Sequence, residues 1–382
     1  MKKLIINDYY TFECIGGKCP DTCCCGWRVF IDDVSAKKYL AVQSEFGSEL
    51  RDNIEHDDKG NAFFIMNEDL RCPFLNEDNL CRIYRELGPD SLCFTCSNYP
   101  RVSYNAGDIC FVGLSISCPE AGRIILGKKE KQVYDLIEDD SPIKEDNVDW
   151  ELFNEKIRIY ITLNGLLQER EAYICERLSA ALIYACRIQE LNNSGGNTEA
   201  LTGLFQSIDG YSPIVSQVLA AGRSFAEKIQ FVRIYIYSMT KQSRIRELVR
   251  ELEKIAGFIE NASGLSEKEM EDAFLCFDNN VTQEEQEQLL VYHLFRHFME
   301  KYKERSTWEC VLYLVAFYSA YRCLTVFRYL NEGVFPDAEW RFLFVARMSR
   351  LFEHSEGLWD TILEKMKAEE MDQLKWQLRL VS

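Results

Sequence analysis

Sixteen cysteines stand in a chain of 382 residues, and eleven of them precede residue 119. Their spacing is that of ligand loops. Cys14, Cys19, Cys23, Cys24 and Cys25 fall within "CIGGKCPDTCCCGW", Cys72 and Cys81 bound "CPFLNEDNLC", Cys93 and Cys96 bound "CFTC", and Cys110 and Cys118 follow. Thiolates are soft donors, so this density points to zinc or to an iron–sulfur cluster, and four ligands complete either one. There are enough cysteines for two centres. His56 is the lone histidine of this region, which disfavours mixed Cys/His zinc sites. Cysteine also serves as a small buried hydrophobe. That reading suits Cys110 and the later Cys175, Cys186, Cys276, Cys310 and Cys323, whereas adjacent cysteines flanked by Gly and Pro make poor core and good ligand loops. Neighbouring residues rarely reach one metal together, so at most two of Cys23, Cys24 and Cys25 should share a centre.

Other chemistries find no support. A radical S-adenosylmethionine motif needs C-x3-C-x2-C, but after Cys19 and Cys23 the third position is Gly26. No G-x-G-x-x-G follows a predicted strand, and there is no P-loop, H-E-x-x-H or G-x-S-x-G. The formal charge of −17 argues against nucleic acid, which is bound through clustered Lys and Arg.

The elements that must hold these residues change character along the chain. Gly and Pro concentrate in the first third with the cysteines, as a loop-rich module built around metal requires. The polar stretch "EDDSPIKEDNVDW" (138–150) marks the boundary between a cysteine-rich module over 1–140 and a helical domain over 150–382. Beyond it, apolar residues recur at helical spacing over 152–191 until "NNSGGN". Further helices are predicted near 214–262, 266–278, 282–304, 306–331, 337–353 and 355–380, with interruptions near Gly222 and Gly257. Ser266 with Glu269, and Thr282 with Glu285, read as capping boxes. Short strands are predicted at "GWRVFI" (26–31), "AFFIM" (62–66) and "ICFVGLSI" (109–116). The fold class is therefore mainly α: a cysteine-rich, loop-rich metal-binding module with few short strands, packed on an α-helical C-terminal domain. Val311–Tyr321 is apolar but too short to span a bilayer, so it reads as a buried helix with no membrane span. The start, "MKKLIINDYYTFEC", lacks the apolar length of a secretory signal, and a cytoplasmic protein with reduced thiols is expected.

Four blocks in order, "FECIGGKCPDTCCCGWRVFID", "CPFLNEDNLCRIYRELG", "TCSNYPR" and "SISCPEAGR", resemble the flagellin lysine-N-methylase family. The first two also resemble a wider group of zinc- or iron-chelating proteins with clustered cysteines. The likeness covers about residues 8–126. It implies a protein methyltransferase that moves a methyl from S-adenosylmethionine to lysine ε-amines of flagellin, with a [4Fe-4S] cluster in the enzyme. Carried over by position, it implies Cys14, Cys19, Cys23, Cys24, Cys72, Cys81, Cys96 and Cys118 as ligands. Cys25 and Cys93 are weaker candidates.

Methylation needs a neutral amine, although free lysine has a pKa of about 10.4. Under this resemblance Tyr9, Tyr10, Trp27 and Tyr99 would cage the amine and the sulfonium. Asp21 and Glu120 would accept the proton, and Arg101 and Arg123 would bind the carboxylate of the methyl donor. Each also has a structural reading: core packing for the aromatics, caps or solvated surface for the carboxylates, salt bridges for the arginines. Two rival functions stay open, a non-catalytic zinc- or iron-chelating binding module and an iron–sulfur redox protein.

Overall fold

A computed structural model describes residues 1–138, 140–143, 145, 147–198, 225–261, 265–355 and 357–382. The chain opens on β1 (Lys2–Ile6) and a 3-10 turn, Asn7–Tyr10, and then enters the cysteine loop. Short elements follow: β2 (Phe30–Ile31), α1 (Asp33–Ala41), α2 (Glu45–Asp52), β3 (Ile54–His56), β4 (Ala62–Phe64), α3 (Arg82–Leu87) and α4 (Phe94–Asn98). The chain then returns through β5 (Arg101–Ala106), β6 (Ile109–Leu114), α5 (Pro119–Leu126) and β7 (Tyr134–Glu138). All later described elements are helical: α6 (Trp150–Leu167), α7 (Ile174–Ser194), α8 (Phe225–Gln242), α9 (Arg246–Asn261), α10 (Glu267–Asn280), α11 (Gln283–His293), α12 (Thr307–Glu332), α13 (Ala338–His354), α14 (Leu358–Ala368) and α15 (Leu374–Val381). The protein is mainly α, as its periodicity predicts.

The strands hold a feature absent from the sequence reading. β5, β6, β1 and β7 form one mixed sheet in that order, with β1 parallel to β6 and antiparallel to β7. β2, β4 and β3 form a small second sheet. Of the three predicted strands, "ICFVGLSI" forms β6, while the other two shrink to β2 and β4.

Apolar side chains divide into two cores. The smaller gathers Val29, Ile31, Tyr39, Leu50, Phe64 and Phe74 with Cys72 and Cys93. The larger takes Ile6, Phe111, Ile116 and Ile125 from before the 138–150 stretch together with the helices after it. At its centre lies α12, buried continuously from Val311 to Phe327. Among the described residues α12 is the one helix long and apolar enough to cross a membrane, and 94% of its most apolar window is buried inside the protein. A helix packed on all sides is apolar on all sides.

Helix ends follow local chemistry. Ser266 and Glu269 form the predicted capping box of α10, and Ser306 with Glu309 forms one on α12. At α11, Thr282 accepts from the Glu285 amide, but Glu285 does not reach back. Its carboxylate is held instead by Arg341, at 2.7 and 2.9 Å, and by Tyr321, at 2.6 Å. The predicted 152–191 helix breaks after Leu167, where the buried Arg177 guanidinium takes the Leu167 and Ala172 carbonyls and pairs with Glu287. The 214–262 prediction becomes α8 and α9, separated near Ser243; Gly257 lies inside α9, and Gly222 lies outside the described residues. The 282–304 prediction ends α11 at His293 and passes into a π-helical turn, Leu294–Phe298.

Candidate active site

The cysteine arm is built at helix starts. Cys81, Cys93 and Cys118 are the N-cap residues of α3, α4 and α5. No side-chain cap bond forms at these positions, but the nearby amides favour the ionised sulfur: Ile83 and Tyr84 for Cys81, Thr95 and Cys96 for Cys93, Glu120 and Ala121 for Cys118. The Phe74 amide does the same for Cys72. Amides aimed at sulfur compensate thiolate charge, and such hydrogen bonds tune iron–sulfur sites.

Burial works in the opposite direction. It pushes the Cys72 and Cys118 thiols up to about 12, and Cys19, Cys81 and Cys25 also rise. Cys23 is raised by its hydrogen bond with Cys24 and then by burial. Buried thiols furnished with amide donors fit a bound cation, which would keep them ionised. Electrostatically the sulfurs form two neighbourhoods. Cys14, Cys19 and Cys118 group with Cys23, and Cys72, Cys81, Cys93 and Cys96 group with Cys24, while Cys23 acts on Cys24, Cys72 and Cys81 and so links the two. Among the described residues no three His, Cys, Asp or Glu side chains are already gathered at metal-bonding distance.

The arm is fastened to the helices at Asp21. Its carboxylate accepts from Arg347 at 3.2 Å and from the buried Arg350 at 3.3 Å, and Arg350 also donates to the Ser117 carbonyl at 3.1 Å. Beside this clasp runs a polar chain. Tyr99 bonds Ser117 at 3.0 Å, Ser117 meets Ser115 at 2.5 Å, and Ser115 donates to Glu353 at 2.7 Å. The other Glu353 oxygen accepts from Tyr292 at 2.7 Å.

Trp27 carries the cysteine arm into a cleft. Its indole N–H donates to the Cys23 carbonyl at 2.6 Å, and its ring lies 4.5 Å from His354 and 5.5 Å from Tyr99. The cleft has a volume of about 600 Å³, within the usual range for small-molecule sites. Trp27, Arg28 and Phe30 form one side, and His293, His297, Tyr313, Phe352, His354 and Trp359 form the other. Lys301, Glu304, Arg305, Glu309 and Asp360 also line it, Arg305 being paired with Asp360.

His293 packs on Phe317 with ring centres 4.0 Å apart, and His297 lies 5.7 Å from it in nearly parallel orientation. Burial, with His297 and Arg296 adding to it, holds His293 well below the ordinary imidazole range. Burial also lowers His297 and His354. The histidine and aromatic rings of the walls are thus uncharged near pH 7, suited to an aromatic base and to a cation held against π faces.

The family model for the FliB lysine N-methylase C-terminal domain matches residues 161–380, more than half of the chain. The chain belongs to the FliB lysine N-methylase family. Over 120 residues it is 36% identical to the flagellar biosynthetic protein FliU of Salmonella muenchen, a stretch that is 30% of this chain and 71% of FliU. It is 35% identical over 120 residues to the lysine-N-methylases of Salmonella typhimurium and Salmonella choleraesuis. Those matches cover 30% of this chain and 30% of each relative, so the chain spans under a third of the methylases it matches. No solved structure matches.

Against the residues the family resemblance singled out, the structure makes a selection. It brings Trp27 and Tyr99 together at the cleft side of the cysteine arm. Tyr9 and Tyr10 instead pair with each other, and Arg101 lies over Tyr9 and Phe12. Glu120 and Arg123 bind each other along α5 at 2.5 and 2.8 Å, and neither lines the cleft. Asp21 is clasped by two guanidiniums. Cys14 is exposed, Cys19 donates to the Asp21 carbonyl at 3.0 Å, and Cys23 and Cys24 lie between the two thiol neighbourhoods. Cys25 turns toward the Asp69 carbonyl, and Cys93 is fully buried beside Cys96. Sequence reasoning missed His293, His297, Tyr313, Glu353, His354 and Trp359. The available signal was the H-x-x-x-H spacing of His293 and His297 in a chain with four histidines.

Proposed function

We propose that this chain is a cytoplasmic protein-lysine N-methyltransferase that moves methyl groups from S-adenosylmethionine to lysine ε-amines of flagellin, and that its cysteine arm holds a [4Fe-4S] cluster. The family supplies the reaction class, and the name of FliU supplies the flagellar context. The observation that carries the reading is the cleft of about 600 Å³, aromatic on both sides and joined to the cysteine arm through Trp27.

Each part of the cleft has a task in that reaction. The Trp27, Tyr313 and Trp359 faces attract the sulfonium and the incoming ammonium. Glu304 draws a lysine side chain inward, and Arg28 offers a partner to the carboxylate of the methyl donor. Inward-facing aromatic walls exclude water and align nitrogen, methyl and sulfur, which is mainly a positioning task. A cluster held by these cysteines would supply a Lewis-acidic iron and would brace the loops carrying Cys14 to Cys118. The chain's own contribution there is the placing of Cys81, Cys93 and Cys118 at helix starts, where nearby amides favour the ionised sulfur.

The test is anaerobic purification followed by incubation with S-adenosylmethionine and flagellin. Lysine masses rising in methyl-sized steps, with a brown protein that bleaches in air, are expected. An intact cluster without methyl transfer overturns the methylase reading. A colourless protein with stoichiometric zinc overturns the cluster and leaves the chelating module as the better account.

A further inference from the structure

The ε-ammonium must lose a proton before it can attack, and the carboxylates nearest the cysteine arm are occupied. Asp21 lies between Arg347 and Arg350, Glu120 is bound by Arg123, and both Glu353 oxygens accept hydroxyl hydrogens. His293 is different. It lines the cleft, is 1% exposed, and neither ring nitrogen has a hydrogen-bond partner. A buried polar group without a partner costs about 1–3 kcal/mol, so a site retains one where a ligand completes it.

The surroundings fix what that ligand can be. Phe317 and Tyr313 from α12 hold the ring, and Glu353 approaches from α13. On its own segment stand Arg296, His297 and Glu300. His297 also has an unpartnered Nε2, and its Nδ1 lies 3.8 Å from Glu300, a partly exposed carboxylate that Arg296 holds at 2.9 Å through its other oxygen. The π-helical turn Leu294–Phe298 contains His297 and follows His293 directly; such turns occur frequently at functional sites.

We infer that His293 takes the proton of the substrate ε-ammonium, and that His297 with Glu300 passes it toward solvent. This rests on the methylase reading above. The N–H bond of the ammonium breaks and its proton joins the imidazole lone pair. The freed amine pair then forms the N–CH3 bond while the C–S pair returns to sulfur, leaving a neutral thioether and a methylammonium. Glu300 balances the imidazolium charge as the proton moves outward.

The experiment uses the full-length, cluster-loaded chain. Four histidines give four imidazoles to follow by 15N NMR, assigned by single substitutions. Titration with n-butylamine, a lysine side-chain mimic, should shift the His293 resonances and leave His56 unmoved. In methyl transfer to flagellin, His293→Gln should lower kcat by about 100-fold or more, with the Kd for S-adenosylmethionine within about threefold. Its rate should then climb about tenfold per pH unit between pH 7 and 9, following free lysine, where the parent enzyme is flat. His297→Gln should cost about tenfold and tilt the profile the same way, so a folding defect in one variant does not decide the matter. An unchanged kcat and pH profile in His293→Gln overturns the inference, as does butylamine leaving His293 unmoved. Butylamine shifting His293 in a protein that methylates nothing supports the amine site and overturns the methylase reading instead.

Discussion

Replacing Asp21 by Asn separates two roles that the sequence alone leaves open. The amide keeps the shape of the side chain but removes the charge facing Arg347 and Arg350, whose side chains are 21% and 2% exposed. Breaking a buried ion pair costs about 3–5 kcal/mol, and an exposed one about 0–1. Arg350 keeps the Ser117 carbonyl at 3.1 Å and Arg347 is wetted, so about 2–3 kcal/mol is expected. Unfolding entropy scales with length to roughly 0.8 kcal/mol per degree for this chain. Asp21→Asn should therefore lower Tm by about 3–4 °C. Because the pair is largely buried, added salt should change the difference little. Differential scanning calorimetry reads the shift, and single-turnover methyl transfer on the folded protein reads the chemistry. A clasp leaves kcat within about threefold. An unchanged Tm with kcat down by about 100-fold or more would refute the clasp and make Asp21 the base.

The thiols give a second contrast. Cys24→Ser should abolish the cluster absorbance, because Cys24 lies with Cys72 and Cys96, while Cys25→Ser should retain most of it. Removing the indole wall in Trp27→Ala should weaken S-adenosylmethionine binding by about tenfold, the equivalent of roughly 1.4 kcal/mol, read by calorimetric titration. Asp32 caps α1 and accepts from the amides of Phe94 and Ser35, which lower its carboxyl from 3.8 to about 2. A depressed carboxyl stabilises the fold above its unfolded value. The stability gap between parent and Asp32→Asn should thus be full above about pH 4 and vanish as pH falls through about 2, measured by urea unfolding across pH.

What the sequence made legible was local. Ligand-loop spacing, helical periodicity and the Ser266–Glu269 cap each sit within a few neighbouring residues. The mixed sheet was not, because β1 pairs with β6 more than a hundred residues away and "KKLII" is too short to announce a strand. Thr282–Glu285 matched a capping pattern, yet Arg341 offered Glu285 a stronger partner from another helix. The cleft was hidden for the same reason. His293 and His297 sit in "HLFRHF", which reads as core, and their partners arrive from α12 and α13. Tyr9 and Trp27 looked equivalent as aromatics near cysteines, and only the fold sends one of them into the cleft.

The order β5–β6–β1 has a topological consequence for the cysteine arm. The strand entering it, β1, and the strand leaving it, β5, flank the same strand β6, which sets them about 10 Å apart at ordinary strand spacing. Everything from Asn7 to Pro100 is therefore an excursion whose two ends the sheet has already tied. Closing a loop of that length costs about 4 kcal/mol of chain entropy, and the sheet bears this cost whether or not metal is present. Stripping the metal should accordingly loosen the excursion into a tethered, partly ordered loop. The sheet and the helices behind it should keep their own cooperative transition.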